Sequence, residues 1–245
     1  MDDCYLGVDG CKGGWVGILI NDNGYIGALK AARVTDIITR AQDLGTIRVI
    51  GIDIPIGLPT EQIRPADKTA RQALKSRGST IFNTPTKKAL EKRNPEASEL
   101  NRQALGQGVS AQALALGPRI LEVADLVQNA SQPHDRHIIE VHPELSFAHM
   151  GHPDEPDRAE PVSFSKKTWN GIHERLNLLR RNGIELPSDL PDVGGTTYAD
   201  DILDAAATAW TANRFHLGLA ANYPNRAGIL GGWRVNDGDT ATIWA

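Results

Sequence analysis

The first thirty residues carry short apolar runs that are separated by turns rich in glycine and asparagine. The pattern predicts strands at 4–9, 15–20 and 25–31, with turns at 11–14 and 21–24 between them. Strands joined by such short turns pair with their sequence neighbours. We therefore expect a three-stranded antiparallel meander at the start of the chain.

A helix and a fourth strand follow the meander. Apolar residues recur with a period near 3.6 over 35–44, which is typical of an amphipathic helix. The run 47–54 is apolar on both faces, which is typical of a buried strand. A helical crossover favours parallel pairing with an earlier strand. If that strand is the first one, Asp9 and Asp53 end at the same sheet edge, where parallel strands hold ligands.

Residues 60–130 contain no convincing strand and several helical segments, which are interrupted by glycine and proline. The expected helices lie at 65–77, 86–93, 95–106 and 110–127. This stretch is too long for a connection between neighbouring strands. We therefore expect a single domain over 1–245 with an inserted helical subdomain at 60–130.

The second half of the chain completes the predicted sheet. Residues 137–142 form a fifth apolar run, which contains Glu140, and an alanine-rich helix is expected over 198–210. A last strand or hairpin is expected between 229 and 245. These elements predict an α/β fold with a mixed five-stranded sheet, order 3-2-1-4-5, flanked by helices.

The bulk composition describes an ordinary globular chain. Its 245 residues can bury a sizeable core. Its net charge of −4 argues against a generally basic surface for binding nucleic acid but allows a local basic patch. It contains neither a signal peptide nor a run of about 18 apolar residues, so no membrane partner is expected. The two cysteines, Cys4 and Cys11, lack metal-binding spacing, and we expect a reduced cytoplasmic protein.

Acidic residues stand at the ends of predicted strands and at the start of the alanine-rich helix. They are Asp9, Asp53, Glu140, Asp201 and Asp204. Acids are unfavourable in central strands, which favours a functional role for them. Three of them have a structural alternative: an Asx-turn for Asp9, an exposed strand face for Glu140, and the helix dipole for Asp201.

Positive charge is concentrated in the expected helical insertion. Residues 61–103 contain ten Lys or Arg against five Asp or Glu, a local balance of +5. Phosphate groups are bound by such residues and by hydroxyl donors. The candidates for contacts with a phosphorylated substrate are Lys12, Arg64, Arg71, Arg77, Ser79 and Lys167. The alternative is that these side chains form solvated helix faces and helix caps.

Several motifs resemble those of one protein family. The matching segments are GVDGCKGGW at 7–15, GIDIPIG at 51–57, RPAD at 64–67, FNTP at 82–85, EVHPELSF at 140–147, SKKT at 165–168 and DDILDA at 200–205. Together they resemble the DUF429 family, whose members are described as predicted RNase H-like nucleases. The DxxDA run at 201–205 is also similar to the last helix of RuvC-type Holliday-junction resolvases. The resemblance implies a ribonuclease H-like fold.

The resemblance also implies a nuclease centre built from the acids. Oxygen ligands select Mg²⁺ or Mn²⁺, and two such ions about 4 Å apart would hold a phosphodiester. Asp9 would bridge both ions, Asp53 and Asp204 would each hold one, and Asp201 would complete the shell. Glu140 would be an extra ligand or position the attacking water. The expected catalytic activity is metal-dependent phosphodiester hydrolysis.

Other functions remain open from the sequence. One alternative is a nucleic-acid or nucleotide binder that keeps the fold without turnover. Another is a phosphotransferase like actin or the sugar kinases, although these proteins need two copies of the fold and we find one Asp-Gly turn of this kind. The substrate is a nucleic acid or a phosphorylated small molecule, and the protein is a monomer or a homodimer.

Overall fold

The computed structural model describes residues 2–129, 137–225 and 241–245. They divide into two compact units. The first unit takes in the described residues of Met1–Asp53, Ser131–Ala221 and Trp244–Ala245, and the second those of Ile54–Ala130 and Asn222–Ile243. The expectation of a single domain with a helical insertion at 60–130 stays a prediction.

The first unit begins with the predicted meander. Strands β1 (Asp3–Cys11), β2 (Gly14–Asn21) and β3 (Gly24–Ala31) pair antiparallel in sequence order. The turn between β1 and β2 places Gly13 at φ +84°, in the left-handed region that glycine adopts without strain. The glycines of this turn therefore allow the backbone conformation that the hairpin requires.

Parallel strands extend the meander on the other side of β1. Helix α1 (Val34–Gln42) leads into β4 (Thr46–Ile52), which runs parallel to β1, and β5 (His137–Val141) runs parallel to β4. The order of these strands is β3-β2-β1-β4-β5, as predicted. The architecture is a mixed α/β sheet consistent with a ribonuclease H-like fold.

The number of strands differs from the prediction. Besides the five expected strands, the described residues contain two strands of two residues each, β6 (Asn222–Tyr223) and β7 (Ile243–Trp244). The tail hairpin expected between 229 and 245 falls on residues that lie outside the described part of the chain, except for 241–245.

The second unit is largely helical. Its helices are α2 (Pro65–Ala73), α3 (Lys87–Leu90), α4 (Glu96–Leu105) and α5 (Ala111–Asn129). The expectation of one helix over 65–77 is wrong, because α2 ends early and a 3-10 helix follows over Lys75–Thr80. Lys75 has φ +49°, which a continuous α-helix does not permit. No strand occurs among the described residues from 60 to 129, as expected.

Three helices complete the first unit: α6 (Pro143–Met150), α7 (Trp169–Arg181) and α8 (Ala199–His216). Helix α8 packs across β1, β2 and β4, and α6 and α7 pack against α8. Helix α1 covers the opposite sheet face, where a Cβ at Gly17 would contact Ile37. Within residues 2–129, 137–225 and 241–245, no helix has the length and apolar character needed to cross a lipid bilayer.

Candidate metal centre

Two of the predicted acids lie side by side at the carboxyl ends of parallel strands. The register of β1 and β4 pairs Val8 with Ile52, and the backbone N–H of Asp53 donates to the carbonyl oxygen of Val8 at 2.9 Å. Asp53 therefore follows directly after the last paired residue of β4 and is held next to Asp9. Parallel pairing brings the two carboxylates to one sheet edge, as the sequence predicts.

The third acid comes from α8, which lies unusually close to the sheet. A Cβ at Gly7 would be 2.1 Å from the carbonyl oxygen of Ala205, and one at Gly51 would be 2.8 Å from Cγ2 of Thr208. Glycine at both positions lets the helix backbone rest on the strands. This contact carries Asp204 to the sheet edge.

The three aspartates meet in one cluster. One carboxylate oxygen each of Asp9, Asp53 and Asp204 lie within 4.8 Å of one another. Asp9 and Asp204 are buried and Asp53 is half-buried. Carboxylates at this separation repel one another strongly unless a proton or a cation intervenes.

The protonation equilibria reflect this crowding. Burial, followed by the charges of Asp53 and Asp204, raises the pKa of Asp9 well above its usual value. Burial and the charge of Asp204 raise the pKa of Asp53 to about 8, and burial raises that of Asp204 to about 6 although Lys166 opposes the shift. In the absence of a metal, protons occupy part of this cluster at neutral pH.

A lysine that the sequence reasoning missed completes the cluster. The ammonium group of Lys166 donates a hydrogen bond to Oδ2 of Asp204. Burial disfavours the charged ammonium, but Asp204, Asp9 and Asp53 outweigh that cost and raise the pKa of Lys166 above its usual value. The lysine therefore stays protonated beside the carboxylates.

The donor atoms of the cluster suit a hard divalent cation. Asp204 Oδ1 is buried and has no hydrogen-bond partner among the described residues. Asp9 Oδ1 accepts a hydrogen bond of 2.6 Å from the N–H of Gly10. A buried carboxylate oxygen without a donor is costly, and a cation would remove that cost. The residues present therefore fit Mg²⁺ or Mn²⁺, which prefer carboxylate oxygens.

The two remaining predicted acids lie around this cluster. Glu140 is buried near the end of β5, pairs in register with Ile52, and its charge raises the pKa of Asp53. Asp201 is in the first turn of α8, and its charge contributes to the raised pKa of Asp9. Glu140 therefore acts through space on Asp53 and Asp201 on Asp9, and the roles of both as ligands stay predictions.

An ion pair supports the segment that carries Lys166. Arg175, which is fully buried, donates to Oε1 of Glu144 at 2.6 Å. The same guanidinium donates to the carbonyl oxygens of Phe164 and Gly171 at 3.1 Å. It thereby ties α6 and α7 to the residues just before Lys166. Charge-assisted hydrogen bonds of this kind fix side-chain orientation near a site.

The chain is similar to one known protein family over most of its length. The sequence model of the family described as "Protein of unknown function (DUF429)" matches residues 7–228. The chain belongs to the DUF429 family. No curated protein and no solved structure matches it. The resemblance inferred from the motifs is thereby confirmed at the level of the family.

The motifs of this DUF429 protein contain the clustered residues. Asp9 lies in the segment at 7–15, Asp53 in that at 51–57, and Asp204 in that at 200–205. Lys166 belongs to SKKT at 165–168, in which the predicted phosphate contact is the adjacent Lys167. Adjacent lysines carry no sequence signal that separates them, because only the fold decides which one points inward.

Two predicted phosphate contacts belong to the first unit. Lys12 is exposed in the turn between β1 and β2, and Lys167 is exposed next to Lys166. Both side chains are accessible to a substrate. Their contacts with phosphate stay predictions.

The other predicted contacts belong to the second unit, where two of them are engaged in the protein itself. Arg64 is fully buried and donates to Oδ1 of Asp67 at 2.6 Å, which favours a structural role over contact with substrate. Arg71 donates to the carbonyl oxygen of Ile81 and to Oδ1 of Asn83. These bonds hold α2 to the segment that follows the 3-10 helix.

The last two candidates, Arg77 and Ser79, lie in the 3-10 helix Lys75–Thr80. Ser79 is exposed and Arg77 is half-buried. Their proposed contacts with substrate stay predictions.

Proposed function

We propose that this protein is a metal-dependent phosphodiester hydrolase, an RNase H-like nuclease. The observation that carries the proposal is the meeting of Asp9, Asp53 and Asp204 with oxygen atoms within 4.8 Å of one another. Three buried or half-buried carboxylates at one sheet edge are costly for stability. A site that retains such a cost is a candidate for function.

The proposed metal ligands are Asp9, Asp53 and Asp204, and the proposed metal is Mg²⁺ or Mn²⁺. A bound divalent ion would lower the pKa of a water molecule and neutralise charge that develops on a phosphodiester. Asp9 and Asp53 are oriented by strand pairing, and Asp204 by the close packing of α8. Glu140 is the proposed group for positioning the attacking water, since it is buried beside this cluster.

Exposed aromatic side chains support a nucleic acid as the substrate. Phe164 and Trp169 flank Lys166 in the chain, and Tyr198 immediately precedes α8. Their exposed fractions are 47%, 74% and 63%, although aromatic residues make up only 5% of the chain. Unpaired bases stack on such side chains, while nearby lysines such as Lys167 take up phosphate charge. A small phosphorylated substrate would leave these aromatic surfaces unused.

We place this activity in the reducing cytoplasm. Cys4 and Cys11 are buried and are not joined in a disulfide, which is compatible with a compartment where disulfides do not form. A homodimer stays a prediction.

The deciding experiment compares wild type with Asp9→Asn. Labelled single-stranded and duplex DNA and RNA are incubated with Mn²⁺, with Asp189→Asn as an exposed control. We expect Asp9→Asn to lose cleavage by more than about a hundredfold, beyond the effect of losing an outer-shell partner. The control should cleave like wild type, and circular dichroism should show both variants folded.

Other outcomes of this experiment contradict the proposal in distinct ways. Cleavage that survives in Asp9→Asn would remove the carboxylate cluster from the mechanism. Binding of an oligonucleotide by wild type without any cleavage would favour the non-catalytic binder.

A further inference from the structure

We propose that Lys166 takes the place of the second metal ion, so that the free protein binds one divalent cation in the aspartate cluster. This inference rests on the proposed function, since it concerns the same metal centre. It replaces the expectation of two ions bridged by Asp9. The ammonium group would be a fixed part of the site.

The first argument is the number of oxygen atoms that remain for metals. Asp204 Oδ2 accepts the hydrogen bond from Lys166, and Oδ1 is the Asp204 oxygen without a hydrogen-bond partner among the described residues. Asp9 Oδ1 is engaged by the N–H of Gly10. A pair of ions needs carboxylates that bridge them as well as terminal ligands. Each of these hydrogen bonds takes a lone pair that an oxygen bridging two ions would need, so the cluster supplies ligands for one ion more readily than for two.

The second argument is charge. Ionised Asp9, Asp53 and Asp204 carry −3, and Lys166 reduces this to −2, which one divalent cation neutralises. Among the surrounding acids, Glu144 is compensated by its ion pair with Arg175. Glu140 and Asp201 add negative charge beside the cluster, so the electrostatic argument rests on the position of the ammonium group rather than on the total charge. A second divalent ion would have to sit beside the ammonium group, and repulsion at that distance opposes it.

The third argument is that the segment around Lys166 is held in place. The N–H and the hydroxyl of Thr168 both donate to the carbonyl oxygen of Ser165, at 2.9 and 2.8 Å. The Thr168 hydroxyl also caps α7 by accepting from the N–H of Gly171. Arg175 holds the carbonyl oxygen of Phe164 on the other side of the lysine. The side chain of Lys166 is only 33% exposed, so its position is built into the fold.

The test is the stoichiometry of Mn²⁺ binding, measured by isothermal titration calorimetry on the full chain in the absence of substrate. We expect one Mn²⁺ per chain for wild type and for Lys166→Arg, which keeps the positive charge. Lys166→Met should bind two. The matched control is Lys167→Met, which changes the adjacent exposed lysine and should bind one. Electron paramagnetic resonance gives a second readout, because two ions about 4 Å apart are magnetically coupled.

Each other outcome overturns the inference. Two ions in wild type would overturn it and leave the proposed hydrolase standing. One ion in both wild type and Lys166→Met would show that Lys166 does not exclude the second ion. No Mn²⁺ binding by wild type would instead reject the metal centre itself, and with it the proposed function. If Lys166→Met does not fold, Lys166→Gln takes its place, with the same expectation of two ions.

Discussion

Gly7 on β1 lies directly against the backbone of α8 at Ala205. A Cβ at Gly7 would be 2.1 Å from the carbonyl oxygen of Ala205, much closer than any real contact. This approach positions the helix that carries Asp204 over the strand that carries Asp9. The metal centre therefore depends on a packing contact as well as on its acids.

Gly7→Ala is expected to destabilise the protein, because the added methyl group meets main-chain atoms that cannot move independently. Overpacking of this kind costs about 1–3 kcal/mol or more in free energy of unfolding. Urea denaturation measures the change. Gly151→Ala is the control, since no described residue beyond its own neighbours in the chain comes within 4 Å of its Cβ position and its φ is −68°. Equal stability of Gly7→Ala and wild type would contradict the close packing.

The aspartate cluster should make the metal-free protein less stable as pH rises from about 4 to about 8, against a smaller opposite contribution from buried His149, whose pKa is lowered to about 4. The pKa of Asp53 rises from an ordinary 3.8 to about 8 on folding, and that of Asp204 to about 6. The folded state therefore binds more protons than the unfolded chain in this window, so deprotonation destabilises it. Melting temperatures in EDTA across this range measure the effect. Asp53→Asn should flatten the profile, and an unchanged slope would contradict the raised pKa.

Mn²⁺ should raise the melting temperature, and more so at pH 8 than at pH 5.5. A ligand that binds only the folded state stabilises it by mass action, and protons compete with the metal for the same carboxylates. Thermal scans with increasing Mn²⁺ at both pH values test this expectation. In Asp9→Asn the rise should disappear. A rise of equal size in that variant would place the bound metal elsewhere.

Trp169→Ala should weaken binding of single-stranded oligonucleotides. Stacking on an aromatic side chain contributes about 1–3 kcal/mol per base, so a loss of about tenfold in affinity is expected. Fluorescence anisotropy with Ca²⁺ in place of Mn²⁺ measures binding separately from cleavage. Leu44→Ala removes another exposed apolar side chain and is the control. Equal losses in both variants would argue against a specific stacking surface.

Local sequence patterns were sufficient to predict the order of the first five strands and the placing of Asp9 and Asp53 at the same sheet edge. Apolar runs and turns identify the strands, and a helical crossover makes β4 parallel to β1. Helix ends in the second unit were less predictable: Lys75 adopts a positive φ that ends the regular helix although the charge pattern continues. That conformation depends on the surrounding structure and leaves no mark in the periodicity.

Sequence by itself determined the family, the central sheet and the acids that could form a centre, because strand polarity fixes which residues share an edge. Only the tertiary structure decided that Lys166 turns inward while Lys167 stays exposed, and that Arg64 is buried in an ion pair with Asp67. These outcomes depend on which side chains the packed backbone encloses. Burial and pairing of charge arise from contacts between distant segments, and residue type alone does not specify them.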